Sequence, residues 1–459
     1  MASESKDVLD VKVTFIGGGS RGWVPGMMRD MALCPEVKGH ISLYDINYGA
    51  SRENVKRGEG IFAHPDAVTD FTVSAHRKMG PALDGADFVI MAIQPGPITM
   101  MASDIDIPKE YGILQTVGDT AGPAGLVRSL RTVPIYTDYA HAVMEHCPDA
   151  WVMNCTNPMA TCVAALYAAE PDIKAFGYCH EVFHTQRHLA DLVQEHFGVE
   201  SVPRQDIRVE VTGVNHFTLA MSAWWNGHDL WPLLEKRIEE EGFFDDRTEA
   251  ALERVEEERW FEYDRLIAYD FLRRFRVLGA AGDRHLVAFV PWYLNSEEEL
   301  HRWGVVTTPA RYRLETAAGR REDKQLEPPE ELEPSGGENL EQMLALLGLG
   351  DLDTSTNIPN EGQVPGLPKG AVIESNVRFR QDKLDPIVEP KLPPMALALQ
   401  RRIVEIHQTT LRAALERDRD LAFRALLHDP LVHIGPDDAW RMFNEMLEAT
   451  ADLLPGWDL

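Results

Sequence analysis

The chain has 459 residues, of which 44% are apolar and 26% are charged, and its formal net charge is −28. This length predicts two domains or one large two-lobed unit, and the strong negative charge disfavours binding to nucleic acid. No apolar run approaches the ~20 residues that cross a bilayer, and the polar N-terminus lacks the apolar centre of a signal peptide. We therefore expect a cytoplasmic protein with no membrane partner.

The segment VKVTFIGGGSRGW predicts a strand, a glycine turn and the start of a helix. Gly17 and Gly19 would let the backbone approach a pyrophosphate, with Ser20 in the same loop and free N–H groups at the helix N-terminus. The run ISLYDIN places Asp45 where a Rossmann unit holds the adenosine ribose. An acidic residue here favours NAD+ over NADP+, although Arg21 weakens that preference. A tight turn with no ligand is the alternative.

Further strand–helix units follow and predict a doubly wound parallel sheet, which binds ligands at the C-terminal ends of its strands. Gln94 and Asn154 come at such ends and are candidate cofactor-binding residues. We assign residues 1–200 to a Rossmann-like NAD-binding domain. Residues 201–459 are assigned to an α+β lobe for substrate binding and oligomerisation. Residues 318–338 are polar, with prolines and glycines, and predict a surface excursion.

The five cysteines do not predict a disulfide framework, because their number is odd and their spacing is irregular. Four are expected to be small buried side chains: Cys34, Cys147, Cys155 and Cys162. Cys179 differs because His180 and Glu181 follow it directly. Glu181 and His184 are interpreted as residues of a helix start.

A metal site is one interpretation of Cys179. It ends a predicted strand, and VEVTGVNHFTLA places His216 inside a second strand-like run. Two ligands are too few for a closed zinc site but suit an open site that substrate oxygens and water complete. Such a site would take a divalent transition metal in the Mn, Fe, Co and Ni range. A core histidine bonded to a backbone carbonyl and a thiolate nucleophile with His216 as its base are the alternatives.

Five motifs in order resemble glycoside hydrolase family 4: FIGGGSRGW, MNCTNPMATC, GYCHEVF, VTGVNHF and GAAGDRHLVAFVPWYL. The run LLGLGDLDTSTNIPNEGQVPGLPKGAVIESN most resembles the α-galacturonidase branch of that family. The tetrapeptide CHEV differs from the CN-P or CD-P of the phospho-glycosidase branches. The resemblance implies a fold similar to lactate and malate dehydrogenases.

The resemblance also implies a reaction, the hydrolysis of α-galacturonides. NAD+ would transiently oxidise the sugar at C3, a base would remove the C2 proton, and elimination and addition of water would follow at C1. The implied cofactors are NAD+ and Mn²⁺ or another divalent transition metal, with Cys179 and His216 as metal ligands. The implied partner is a small uronate glycoside, and the implied assembly is a homodimer or homotetramer.

Motif matching implies roles for further residues. Asn157 would bind sugar hydroxyls, and Asp119 would lie near the sugar and the metal. His180 would assist the leaving group, since an imidazole can act as acid or base near neutral pH. Asp283 is our expected C2 base, with Tyr269 in reserve.

The substrate carboxylate calls for a cation, and a guanidinium matches it better than an ammonium. Arg284 and His285 are the nearest cations in the matched motif, with Arg128 and Arg131 as alternatives. Each arginine, and Asp283 beside Arg284, could instead belong to a structural ion pair.

Other functions remain open at this point. The same mechanism could act on α-glucuronides or α-galactosides. A plain NAD-dependent 2-hydroxyacid dehydrogenase would use a His–Asp pair and no cysteine-bound metal. A non-catalytic NAD sensor would not need the combination of Asn157, Cys179, His216 and Asp283.

Overall fold

The structure is a computed structural model that describes residues 8–240, 244–318 and 331–459. Most of the predicted surface excursion at 318–338 therefore lies outside the described residues. One mixed sheet runs through the described chain. Its strands are β1 (Leu9–Ile16), β2 (Val37–Tyr44), β3 (Phe71–His76), β4 (Phe88–Met91), β5 (Trp151–Asn154), β6 (Lys174–Gly177), β7 (Ile207–Val214), β8 (Phe217–Trp225), β9 (His228–Asp229), β10 (Leu278–Gly279), β11 (Leu352–Pro359), β12 (Val372–Arg380) and β13 (Lys383–Pro386).

The helices cover both faces of this sheet. They are α1 (Trp23–Ala32), α2 (Tyr48–Phe62), α3 (Met79–Leu83), α4 (Ile98–Glu110), α5 (Gly122–His146), α6 (Met159–Ala169), α7 (Glu181–Phe197), α8 (Trp231–Glu240), α9 (Thr248–Glu256), α10 (Leu266–Phe275), α11 (Asp283–Leu286), α12 (Glu297–Arg302), α13 (Ala310–Ala317), α14 (Asn339–Leu346), α15 (Pro394–Glu416), α16 (Arg419–His428) and α17 (Pro436–Ala449).

The first half of the sheet confirms the predicted parallel, doubly wound arrangement. Strands β1 to β6 pair in parallel in the order β3-β2-β1-β4-β5-β6, which is the strand order of a Rossmann fold. Both faces of the central strands are covered, so β4 is buried along its whole length. The loops after β1, β4, β5 and β6 consequently open at one edge of the sheet.

The second half of the sheet is antiparallel and belongs to the α+β part of the chain. Strand β11 pairs with β6 at Asn357 and Gly177, and β12, β7, β8 and β10 follow in that order. The Oγ1 of Thr356 also donates a hydrogen bond to the Gly177 carbonyl oxygen at 2.8 Å. The two halves thus share a continuous sheet.

One predicted strand was wrong. The run VEVTGVNHFTLA was expected to be a single strand with His216 inside it. The structure divides it into the hairpin β7–β8, with Asn215 and His216 in the turn. His216 has φ +66°, a left-handed backbone conformation that a turn requires and that the apolar sequence around it does not announce.

Two composition-based expectations agree with the structure. All five cysteines are free and buried. Within the described residues, each helix is too short or too polar to cross a lipid bilayer.

Candidate active site

The glycine turn after β1 leaves no room for side chains. Gly17 has φ +97°, and a Cβ at this position would lie 2.1 Å from the carbonyl oxygen of Ala92. A Cβ on Gly19 would lie 2.7 Å from the Cβ of Ala50 and 2.9 Å from Oδ2 of Asp45. Bare backbone therefore forms a cradle directly before the N-terminus of α1. This arrangement fits the pyrophosphate of a dinucleotide.

Asp45 lies beside this cradle, immediately after β2. Its Oδ2 accepts a hydrogen bond from the Gly19 N–H at 3.0 Å, and its Oδ1 accepts one from the Asn47 N–H at 2.8 Å. Ser20 Oγ accepts a hydrogen bond from the Trp23 N–H at 3.3 Å, at the start of α1. The carboxylate and the loop are thus fixed to each other in the geometry expected of a ribose-binding acid.

The two other predicted cofactor residues have different surroundings. Gln94 is exposed after β4, and its Oε1 accepts a hydrogen bond from Arg128 Nη2 at 3.2 Å. Asn154 is 0% exposed: its Nδ2 donates to the Thr156 carbonyl oxygen, and its Oδ1 accepts a hydrogen bond from the Tyr136 hydroxyl at 2.6 Å. The hydrogen bonds of the Asn154 side chain therefore stabilise the loop after β5.

Asp119 connects the loops that meet at this edge of the sheet. Its Oδ1 accepts a hydrogen bond from Thr120 Oγ1 at 2.8 Å, and its Oδ2 accepts one from Asn157 Nδ2 at 3.3 Å. The Asn157 carbonyl oxygen accepts a hydrogen bond from Arg128 Nε at 2.9 Å. Asn157 Oδ1 and Arg128 Nη1 are buried and lack a hydrogen-bond partner. Two polar atoms beside Asp119 are thus available to a ligand.

The carboxyl group of Asp119 is ionised. Burial acts to raise its pKa, but neighbouring side chains hold that pKa below its ordinary range: His216, His285, Arg128 and Arg313. Burial and then His285 lower the pKa of His216 to about 3, so this imidazole is neutral near pH 7. With His216 neutral, the guanidinium groups of Arg128 and Arg313 still contribute to holding Asp119 ionised.

His216 is oriented by a bridging hydroxyl. Its Nδ1 lies 3.0 Å from Thr120 Oγ1, and the residue is only 4% exposed. The Thr120 hydroxyl has a single proton and donates it to Asp119, so His216 Nδ1 must carry the hydrogen in their contact. The lone pair of His216 is then on Nε2. A neutral imidazole fixed in this tautomer fits a metal ligand.

Cys179 is linked to His216 through the residue that precedes the histidine. Asn215 forms a side-chain hydrogen bond with the Cys179 thiol and donates from Nδ2 to Glu374 Oε2 at 3.1 Å. Burial, followed by the charges of Glu374 and Glu181, raises the pKa of the Cys179 thiol well above its ordinary value. A thiolate nucleophile needs neighbours that lower this pKa. A divalent cation would itself stabilise the thiolate, so the donor set fits a metal better than a nucleophile.

Glu181 and His285 extend the cluster on the other side of His216. The rings of His285 and His216 have centroids 3.9 Å apart, and His285 Nε2 lies 3.6 Å from Glu181 Oε1. Glu181 Oε2 accepts a hydrogen bond from the Gly282 N–H at 2.8 Å. Glu181 does begin α7, as predicted, but its carboxylate belongs to the site. His285 is thus in contact with both His216 and Glu181.

Asp283, the expected base, also has a structural role. It is 0% exposed, and its two oxygens accept hydrogen bonds from the N–H groups of Ile267 at 3.3 Å and Ala268 at 3.0 Å, at the start of α10. Burial raises the pKa of Asp283 to about 7. Tyr269, the reserve, is hydrogen-bonded to His188 Nε2 at 2.5 Å. Asp283 therefore has a suitable pKa but restricted access.

His180 is exposed at the start of α7, beside a cavity of about 490 Å³ that Trp23, Tyr178 and Arg187 also line. Desolvation lowers the pKa of His180, and Glu181 partly opposes this. His180, Glu181 and His184 also bring one ligand atom each within 4.8 Å of one another. This trio is a second set of possible metal ligands. Its Glu181 carboxylate, however, already accepts the hydrogen bond from the Gly282 N–H.

The predicted arginines separate into paired and unpaired groups. Arg131 is fully buried and forms a two-point ion pair with Asp104, Nη1 to Oδ1 at 3.0 Å and Nη2 to Oδ2 at 2.5 Å. Arg131 is thus structural and not a carboxylate site for substrate. Arg284 has no such partner: its Nη2 donates to Thr308 Oγ1 at 2.5 Å, and its buried Nε has no partner.

Three residues of this site were not predicted from the sequence: Thr120, Glu181 in its chemical role, and Arg313. Thr120 follows Asp119 directly, and Glu181 is part of the CHEV motif, so their neighbours could have indicated both. Arg313 lies in α13 within no recognisable motif, and only the folded chain brings it near Asp119.

Comparison with known proteins places the chain in a family. Residues 12–195 match the model of the family 4 glycosyl hydrolases, and residues 211–432 match their C-terminal domain. An α-galacturonidase of Thermoanaerobacterium saccharolyticum is 44% identical over 463 residues, which cover 98% of both chains. The crystal structure of Bacillus subtilis lplD, described as a glucosidase, has 36% identity and a TM-score of 0.86 over 95% of this chain and 100% of that chain.

A more distant structure shares the fold. A 6-phospho-alpha-glucosidase from gut microorganisms, in complex with NAD and Mn²⁺, has 19% identity and a TM-score of 0.77 over 98% of this chain and 100% of that chain. The family predicted from five ordered motifs is thus confirmed by matches along almost the whole sequence. The chain belongs to family 4 of the glycosyl hydrolases.

Proposed function

We propose that this protein hydrolyses α-galacturonides with the help of NAD+ and a divalent transition metal such as Mn²⁺. The observation that carries the proposal is the meeting, at one sheet edge, of a glycine cradle with the Asp119–Thr120–His216 chain of hydrogen bonds. The 44% identity to a named α-galacturonidase over 98% of both chains supports the choice of substrate. A plain 2-hydroxyacid dehydrogenase would not share this family.

The residues for both cofactors fit their chemistry. The cradle at Gly17 and Gly19, with Asp45 beside it, would hold NAD+. Cys179 Sγ and His216 Nε2 would hold the metal, as a mixed sulfur and nitrogen donor set suited to a transition ion. When bound, NAD+ would take hydride from the sugar C3 and return it, while the metal would stabilise negative charge on the sugar oxygens.

The chain's own groups would position the sugar and move protons. Asn157 Oδ1, buried and without a partner, would accept a hydrogen bond from a sugar hydroxyl. His180, exposed at the cavity, would protonate the departing oxygen, for which it would have to take up a proton when substrate binds, because its pKa is lowered in the free protein. Ionised Asp119 would hold Asn157 and, through Thr120, the tautomer of His216.

The base that removes the C2 proton is proposed to be Asp283, because a pKa of about 7 suits a general base. The alternative that the structure adds is Tyr263, a half-exposed side chain. A Cβ on Gly282 would lie 2.8 Å from its hydroxyl oxygen, which places Tyr263 beside the Glu181 cluster. Burial raises the pKa of Tyr263 to about 12, so it would need a nearby cation to act as a base.

The test uses reduced protein, NAD+, Mn²⁺ and aryl α-glycosides of galacturonate, glucuronate and galactose. We expect the protein to hydrolyse the galacturonide and to lose this activity when either cofactor is removed. We also expect solvent deuterium at C2 of the product. Hydrolysis without NAD+ and metal would contradict the mechanism, and a preference for galactoside or glucuronide would contradict the substrate. Asp283→Asn and Tyr263→Phe are compared for C2 exchange.

The homodimer or homotetramer and the cytoplasmic location stay predictions.

A further inference from the structure

Two arginines near Asp119, the buried Arg284 and the half-buried Arg313, lack a carboxylate partner among the described residues. In the described part of the chain, neither Arg284 nor Arg313 forms an ion pair, and each has a buried Nε that lacks a hydrogen-bond partner. Two other buried arginines do have carboxylate partners, Arg131 with Asp104 and Arg204 with Glu338. Among the described residues, Arg128 also forms no ion pair, so these three arginines without a carboxylate partner gather around Asp119.

Arg313 reaches this place from α13. Its Nη2 donates a hydrogen bond to the Val117 carbonyl oxygen at 2.6 Å, two residues before Asp119. Burial lowers the pKa of Arg313, and the charge of Asp119 partly opposes this. The guanidinium is thus held against the loop that carries Asp119, with its Nε free for a ligand.

Arg284 is held beside the same loop by independent contacts. Its carbonyl oxygen accepts a hydrogen bond from Thr116 Oγ1 at 2.6 Å, and its guanidinium carbon lies 4.8 Å from the centre of the Phe261 ring. Burial and then the charge of Arg313 lower the pKa of Arg284 to about 10. Arg284 and Arg313 are therefore both tied to the segment just before Asp119, Arg284 through Thr116 and Arg313 through Val117.

The charges of Asp119 and Glu181 only partly offset the burial of these two guanidinium groups, since the pKa of each stays below its ordinary value. Burying an unpaired charge is unfavourable, and two neighbouring cations add their repulsion. The whole chain carries a net charge of −28, so acidic partners were abundant. A ligand carboxylate fits better, since it can accept two hydrogen bonds from a guanidinium.

We propose that Arg284 and Arg313 together bind the C6 carboxylate of the sugar and so select galacturonides over galactosides. This inference rests on the proposed function and adds Arg313 as a specificity-determining residue. Arg128 is left out of the pair because its Nε and Nη2 already donate to the Asn157 carbonyl oxygen and to Gln94 Oε1.

The test compares kcat/KM for an aryl α-galacturonide and an aryl α-galactoside in wild type, Arg313→Gln and Arg284→Gln. Losing a charge-assisted contact should lower the ratio of the two values about 10- to 100-fold, mainly through KM of the galacturonide. Arg311→Gln is the matched control on α13, because Arg311 is exposed and faces Glu258 at 3.6 Å. Its ratio should stay within about twofold of wild type.

A binding measurement separates this inference from the proposed function. Calorimetry with D-galacturonate, its methyl ester and galactose should show tighter binding of the free acid to wild type, and loss of that preference in Arg313→Gln. Wild type that binds the acid selectively but hydrolyses no α-galacturonide would refute the function and leave the arginine pair intact. Unchanged preference in both glutamine variants would overturn the pair.

Arg313→Lys covers the case in which the glutamine variant does not fold. It keeps the charge and loses the planar fork, so we expect a smaller fall in the galacturonide preference than in Arg313→Gln. Full preference in a folded Arg313→Lys would contradict recognition by a guanidinium fork.

Discussion

Thr120 Oγ1 lies 3.0 Å from His216 Nδ1, and its one proton is committed to Asp119. This contact fixes which imidazole nitrogen is free, so we predict that Thr120→Val weakens Mn²⁺ binding about 10- to 100-fold. Free Mn²⁺ measured by electron paramagnetic resonance during titration would give the affinity without relying on turnover.

Thr137→Val is the control for that change, since the Thr137 hydroxyl bonds only to the Val133 carbonyl oxygen of its own helix. Equal Mn²⁺ affinity in the two variants would show that the Thr120 hydroxyl does not orient a ligand.

Gly17 and Gly60 provide a matched pair of glycine substitutions. Gly17→Ala places a Cβ 2.1 Å from the Ala92 carbonyl oxygen at φ +97°, whereas Gly60 lies in α2 with nothing within 4 Å. We expect Gly17→Ala to lower NAD+ affinity at least about tenfold, and Gly60→Ala to add about 0.5–1 kcal/mol of stability with unchanged affinity. Calorimetric NAD+ titration and thermal unfolding measure both, and normal NAD+ binding by Gly17→Ala would refute the cradle.

Arg131 and Asp104 form a buried ion pair, and its loss should lower the free energy of unfolding. Arg131→Met leaves the Asp104 carboxylate buried without its partner, so we predict a loss of about 3–5 kcal/mol in urea unfolding. Arg378→Met removes the exposed pair with Asp353 and should change stability far less. If Arg131→Met kept full stability and lost only galacturonide binding, Arg131 would be a substrate residue after all.

Asp283 predicts a pH dependence of stability. Its folded pKa is about 7 against an ordinary value of 3.8, so the folded state keeps a proton that the unfolded state has released. Asp283 therefore contributes a fall in stability of roughly 2 kcal/mol as pH rises from about 5 to about 7. Glu374, Glu389 and Asp429 also have raised pKa values and add to the total fall. Urea unfolding of Asp283→Asn should show a fall that is smaller by the Asp283 contribution, whereas the exposed control Asp172→Asn should keep the full fall. A wild-type curve parallel to that of Asp283→Asn would contradict the assignment.

Local patterns predicted one half of the site well. The glycine turn, the following helix and Asp45 after the next strand are specified within a short stretch of sequence, and the structure places them together. The parallel strand order followed from the alternation of strands and helices. These features depend on neighbours in sequence, which is why the sequence was sufficient.

The remaining features depend on contacts between distant segments. Asp283 caps α10 through the N–H groups of Ile267 and Ala268, and no sequence motif indicates that its oxygens accept these hydrogen bonds. Arg131 and Arg128 lie one turn apart on α5, yet Asp104 pairs with only one of them. The turn at Asn215 and His216 was missed because apolar residues flank it and because its positive φ falls on His216 rather than on a glycine or asparagine.

The pairing of β6 with β11 at Gly177 has a mechanical consequence. Gly177 lies in the sheet only two residues before Cys179, the proposed metal ligand. A Cβ on Gly177 would lie 2.7 Å from Met159 Cγ and 2.9 Å from Asn357 Cβ, so close packing fixes the backbone there. Lobes joined through one hydrogen-bonded sheet cannot hinge freely at this point. Insertions far from Gly177 would leave the position of Cys179 at the sheet edge unchanged, whereas a single residue inserted between Gly177 and Cys179 would displace it.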